Sequence, residues 1–157
     1  MSAKNILAAV LLLFVAGSLV AVALNRGRDG GADTGPLPDG VTVYYFHSKT
    51  RCPTCRSIES FAHEAVTRGF ADVVQAGRMK WQVVNYELPE NEHLVEEYNL
   101  VAPIVVLVRS EGGEVRDSKE LHRVWELVDD REAFVEYVQE ETRAMLGKPS
   151  TWARNEF

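Results

Sequence analysis

The hydrophobic pattern of this chain begins as an unbroken block. Ile6 to Leu24, ILAAVLLLFVAGSLVAVAL, are nineteen consecutive residues without a charge. As a helix rising about 1.5 Å per residue they reach about 28 Å, the depth of one bilayer core. Two readings compete: an uncleaved membrane anchor, or a secretory signal whose Ala21-Val22-Ala23 matches the small-x-small cleavage pattern. The length favours the anchor, because signal cores usually run about 7–15 apolar residues. From Asn25 to Gly40 the sequence is rich in Gly, Pro and Asp and has no periodic apolar face, which predicts a flexible tether. The expected organisation is a basic-flanked anchor over 1–28, a linker over 29–40, a folded domain over 41–147 and a tail over 148–157.

Within the domain the period alternates between strand and helix. Val41 to Phe46, VTVYYF, is a short β-branched and aromatic run that predicts a buried strand. From Cys52 the period becomes helical: Cys55, Ile58, Phe61, Ala62, Ala65 and Val66 share one face, with Arg56, Ser57, Ser60, Glu64 and Arg68 opposite, and Gly69 ends or bends the helix. Met79 to Glu87 reads as a second strand, Pro89 breaks it, and Glu90 to Tyr98 supplies a short helix. Ile104 to Val108, IVVLV, has the continuous apolar character of a strand covered on both faces, and EGGE at Glu111 to Glu114 turns it into a fourth strand near Val115. Asp129 to Leu146 closes the domain with an acidic first turn and an amphipathic helix. Strands separated by helices predict parallel pairing, and the Gly-Gly turn predicts an antiparallel edge. This order, strand, helix, strand, helix, strand, strand, helix, is that of an α/β thioredoxin-like fold: a mixed four-stranded sheet with flanking helices, preceded here by a single transmembrane helix.

Charge narrows the partners. The first 28 residues carry Lys4, Arg26 and Arg28 and no acid, whereas the remainder holds 14 basic against 23 acidic residues, a formal −9. A nucleic-acid partner is disfavoured, since phosphate binding needs a positive field. With most of the chain following one early apolar segment, the expected location is the cell membrane, single-pass through 6–24, with the domain on the extracytoplasmic side; secretion after cleavage is the alternative.

The chemistry concentrates in FHSKTRCPTCRSIES, Phe46 to Ser60, which holds both cysteines. A Cys-x-x-Cys at a strand-to-helix junction puts Cys52 at the helix amino terminus, where unsatisfied N–H groups and the helix dipole favour a thiolate. Pro53 suits the first helical position. Lys49, Arg51 and Arg56 bring positive charge that further lowers the thiol pKa, and His47 as imidazolium would do the same. Cys55, in line with the apolar stripe, is the sheltered partner that resolves a mixed disulfide at Cys52. A staple is a poorer reading, because it would close only two residues and staples gain most from long loops. A metal site would need further ligands, for which His47 and His63 are the candidates. Pro103 opens the third strand; a cis bond there would present a backbone edge to a bound peptide, and a trans proline at a strand start is the plain alternative.

These residues resemble the thioredoxin superfamily over Val41 to about Leu146: CPTC after a strand, NYELPENEHLVEEYNL before a strand-opening proline, and a Gly-containing hairpin. More narrowly, Tyr44-Tyr45-Phe46-His47 with Arg51-Cys52 and Cys55, then Val84-Asn85, Tyr98 and Trp125, look like the nitrophenyl compound nitroreductase subunit family of ArsF type. That resemblance implies a small membrane-associated or exported protein linked to reduction of nitroaromatic arsenicals. The chain departs from ordinary thioredoxins at Arg51, which replaces an aromatic residue, and at Pro53-Thr54, which replace Gly-Pro. Tyr45 or Phe46 stands where a buried carboxylate assists proton transfer, and Tyr98 to Pro103 is one residue short.

The expected activity is thiol-disulfide exchange through a redox-active Cys52-Cys55 disulfide, with Arg51, Pro53, His47 and Pro103 supporting it. The expected partners are a protein thiol or disulfide or a membrane electron donor. No Gly-rich dinucleotide fingerprint or flavin site is present, so no further cofactor is expected and any nitro reduction would draw on another subunit. The alternatives are a dithiol module binding trivalent arsenic or a soft metal, and a scaffold subunit that keeps the fold without the chemistry.

Overall fold

The computed structural model describes Leu37 and Asp39 to Gly147. The apolar segment Ile6 to Leu24, most of the 29–40 linker and the 148–157 tail lie outside the described residues. Among the described residues no helix is long and apolar enough to cross a membrane. The elements are β1 (Gly40–His47), α1 (Pro53–Gly69), α2 (Ala71–Gln75), β2 (Met79–Asn85), a 3-10 turn (Pro89–Asn91), α3 (Glu92–Glu97), β3 (Ile104–Glu111), β4 (Glu114–Glu120), a 3-10 turn (His122–Val124) and α4 (Arg131–Leu146). The sheet is four-stranded in the order β2-β1-β3-β4. This is the expected thioredoxin-like arrangement, with β1 at the centre.

Covering β1 on both faces explains its unbroken apolar run. Val41, Val43 and Tyr45 face a core built with Ile58, Ala62, Ala65 and Val66 of α1 and Phe134, Val138 and Met145 of α4. Tyr44 and Phe46 face the other way and pack with Leu94, Tyr98, Leu100, Ile104 and Val106. There Tyr44, Phe46 and Tyr98 form an aromatic cluster with centroids 5.2 to 6.3 Å apart. Ile58 is fully buried, and burial of such a side chain is worth about 1.5–3 kcal/mol. The fold also takes in the end of the segment read as linker: Leu37 packs on the second core, and the Asp39 carboxylate accepts the Gly112 N–H at 2.6 Å.

Strand direction departs from the expectation at β3. β1 and β2 are parallel, Val41 opposite Met79 and His47 opposite Asn85, but β3 is antiparallel to β1, with Phe46 opposite Ile104. α3 has six residues, and at about 1.5 Å each it spans about 9 Å. A strand of seven or eight residues spans about 25 Å. α3 alone cannot cross the sheet, and the connection over 86–103 leaves and re-enters it at the same end, so β3 runs antiparallel to β1. The antiparallel β3-β4 hairpin is as expected, turning through Gly112 and Gly113 at φ of 63° and 79°, which a two-residue turn requires. The helix α2 was not anticipated: it follows the end of α1 at Gly69 and contributes no fully buried residue, so it leaves little apolar signal.

These directions bring three chain segments to one end of the sheet: the end of β1, the start of α1 and the start of β3. The site lies there.

Candidate functional site: the Cys52–Cys55 turn

Cys52 is the N-cap of α1. Its backbone is extended, φ −69° and ψ 161°, Pro53 takes the first helical position, and its sulfur accepts the Cys55 N–H at 3.0 Å. A sulfur in this place satisfies a helix-end donor that would otherwise go unpaired, and it sits at the positive end of the helix dipole. Cys52 and Cys55 form a disulfide with Cα atoms 5.0 Å apart. The two differ in exposure: Cys52 is half-buried, whereas Cys55 is buried at 4% exposure within the apolar face of α1. Accessible first sulfur and sheltered second sulfur are as the helical period predicts.

Behind the pair stands Tyr45. Its hydroxyl donates to the Cys55 carbonyl at 2.7 Å, fixing the first turn of α1 to the central strand. Tyr45 is fully buried, and burial pushes its phenol up to about 12, with the Arg51 charge acting against the rise. The sequence flagged Tyr45 only as one of two residues replacing a carboxylate. Strand alternation puts Tyr45 on the face of Val41 and Val43, beneath α1.

His47 is buried, and its surroundings correct the expected imidazolium. Burial holds its pKa below the ordinary histidine value, with the Arg51 charge acting the same way and the Ser48 carbonyl opposing. In the neutral tautomer that fits, Nδ1–H donates to the Ser48 carbonyl at 2.8 Å and Nε2 accepts from the Arg51 guanidinium at 3.4 Å. Arg51 in turn is ion-paired with Glu59 on α1. Its charge is therefore shared with a carboxylate, which the sequence reading of Arg51 as a free cation beside Cys52 left out. The intervening loop is tied down where the Lys49 N–H donates to the Glu87 carboxylate at 2.9 Å.

Pro103 precedes β3 at the cysteine end of the sheet, as expected, but the expected cis bond is absent: no peptide bond among the described residues is cis. The reversal into β3 is made instead by Asn99 in the left-handed region, φ 47°, and by bends over 101–103. The Trp125 indole N–H donates to the Pro103 carbonyl at 3.0 Å, holding this strap from the segment between β4 and α4. Trp125 is 39% exposed, and its polar edge suits it to this role.

The histidine set considered for a metal does not converge. His63 lies against Trp81 of β2, centroids 5.5 Å apart, while both nitrogens of His47 are engaged near Ser48 and Arg51. Among the described residues no group of three or more His, Cys, Asp or Glu is placed to hold a metal ion. Alongside the turn, Arg51, Arg56, Glu59, Ser60, His63 and Trp81 line an open groove of about 420 Å³.

No protein-family model and no curated protein matches the sequence. Among solved structures the chain is similar to a thioredoxin from Thermus thermophilus, with 21% identity over 65% of this chain and 73% of that one and a TM-score of 0.45. It is also similar to thioredoxin O2 from Arabidopsis thaliana in its oxidized state, with 18% identity over 75% and 88% and a TM-score of 0.39.

Proposed function

We propose that this chain is a thiol-disulfide oxidoreductase acting on the thiols or disulfides of a protein partner. The observation that carries the reading is the dual position of Cys52: it is the accessible sulfur of the pair, and it is the helix cap whose sulfur accepts the Cys55 N–H. A cap of this kind stabilises a thiolate and so favours both its attack and its departure.

In the reducing direction the Cys52 thiolate attacks one sulfur of the partner's disulfide. The partner's S–S bond breaks, a Cys52 mixed disulfide forms, and one partner thiolate leaves and takes up a proton. Cys55 then loses its proton and attacks the Cys52 sulfur, releasing the second partner thiolate and forming the Cys52–Cys55 bond. Two electrons pass to the partner, and the protein becomes the disulfide. The oxidising direction is the reverse, and the potential of the pair decides between them. Arg51 and His47 hold the approach loop, Pro53 fixes the start of α1, and the Pro103 strap borders the end of the sheet where the partner docks.

The membrane tether is carried by the apolar segment Ile6 to Leu24. A relay to nitroaromatic or arsenical reduction rests on the sequence resemblance alone, whereas capture of trivalent arsenic or a soft metal by the reduced pair rests on two thiolates within one helical turn. The test is trapping: Cys55→Ser in the full chain should accumulate mixed disulfides at Cys52, seen by mass spectrometry, and Cys52→Ser should not. Equal trapping by both variants would remove the assigned roles.

A further inference from the structure

The groove beside the cysteine turn has no role in the exchange steps themselves. Arg56, Ser60 and His63 follow one another at four and three residues along α1, which places them on a single stripe. Trp81 forms the opposite side, on β2, the outer strand of the sheet. Arg51 leads from the stripe to Cys52, and the Arg56 N–H donates to the Cys52 carbonyl at 3.1 Å.

The donors here are not fully used. The Nε of Arg51 is buried without a partner, and the exposed Arg56 guanidinium has no ion pair among the described residues. Glu59, the one carboxylate on the groove, is already paired with Arg51. The result is a locally positive strip on a chain whose formal net charge is −6. An acidic segment is repelled by most of such a surface and attracted to this strip. Arg56 to His63 covers about 10.5 Å of helix, the length of about three residues of extended chain.

We infer that this groove is a specificity site for the proposed exchange: it takes about three acidic residues flanking the reacting cysteine of the partner protein. Carboxylates meet the exposed Arg56 guanidinium, Ser60 and His63 supply hydrogen-bond donors, and Trp81 supports the apolar part of the segment. The inference rests on the exchange reading and is tested separately from it.

Two disulfide-bonded peptides, one with Asp-Glu-Asp beside the cysteine and one with Asn-Gln-Asn, are compared as substrates of the full chain. The acidic peptide should show a kcat/KM about three- to tenfold higher at low ionic strength, mostly through KM, with the ratio falling towards one as salt screens the strip. Arg56→Glu should abolish or invert the ratio, with the neutral peptide serving as the internal reference for folding and chemistry. In the chain carrying Cys52→Ser and Cys55→Ser, a serine version of the acidic peptide should shift the NMR signals of the Trp81 indole and His63 ring, and the neutral one should not. Exchange with no charge preference, or a preference untouched by Arg56→Glu, overturns the groove. Arg56-dependent turnover of oxidised glutathione without peptide preference overturns it in favour of a small-molecule site. Peptide binding without any exchange leaves the groove standing and overturns the oxidoreductase reading.

Discussion

Replacing Tyr45 by Phe removes one oxygen from the core and tests the link between β1 and the cysteine turn. The lost bond, 2.7 Å from the hydroxyl to the Cys55 carbonyl, is buried. Its net worth is about 1 kcal/mol, which for a domain of this size lowers Tm by about 4–8 °C. The pH dependence makes the test sharper. Burial pushes the Tyr45 phenol up to about 12, against about 10 in the unfolded chain. Because the folded value is the higher, the contribution is whole below pH about 10 and drains away as pH rises towards 12, by about 1.4 kcal/mol per unit. Wild type should therefore exceed Tyr45→Phe by about 1 kcal/mol at pH 7, match it near pH 11 and fall below it beyond. The other tyrosines titrate in both proteins and cancel. Urea unfolding of the full chain, followed by far-UV circular dichroism from pH 7 to 11.5, gives the two curves. A constant gap across that range would refute the reasoning.

Two further substitutions test the frame. A Cβ on Gly40, at φ +138°, would lie 2.0 Å from the Arg78 carbonyl oxygen, so Gly40→Ala should cost more than about 3 kcal/mol or prevent folding. Gly77→Ala, at φ +70° but with nothing within 4 Å, should cost only about 1 kcal/mol; similar urea midpoints for the two would contradict the steric argument. Burial lowers the His47 pKa, so the unfolded chain takes up the proton first as pH falls. Stability should decline below pH about 6.5, and His47→Gln should flatten that decline; an unchanged acid limb would show that His47 is not the group responsible.

Much of the fold was legible because its strongest elements carry a period of their own. β1 reads as buried because both faces are covered, and α1 shows its core stripe from Cys55 to Val66. The cysteine turn is legible for the same reason, since capping, proline placement and the stripe all act locally. What the sequence concealed depends on distance in the chain. The direction of β3 follows from where the connection over 86–103 re-enters the sheet, which no local period records. Arg51 finds Glu59 and His47, and Trp125 finds the Pro103 carbonyl, through contacts that leave no mark on periodicity. Pro103 illustrates the limit most plainly. Its place just before β3 followed from composition, while the turn into the strand, made by Asn99 and the bends over 101–103, left no mark in the sequence.

The most direct test of the account is a redox titration of the full chain in glutathione buffers, with the Cys52 thiolate followed by its absorbance as pH is varied. The account predicts a reversible two-electron couple for Cys52 and Cys55, and a Cys52 thiol titrating well below the value of about 8.5 of a free cysteine. A pair that does not cycle, or a Cys52 that titrates as an ordinary thiol, would contradict it.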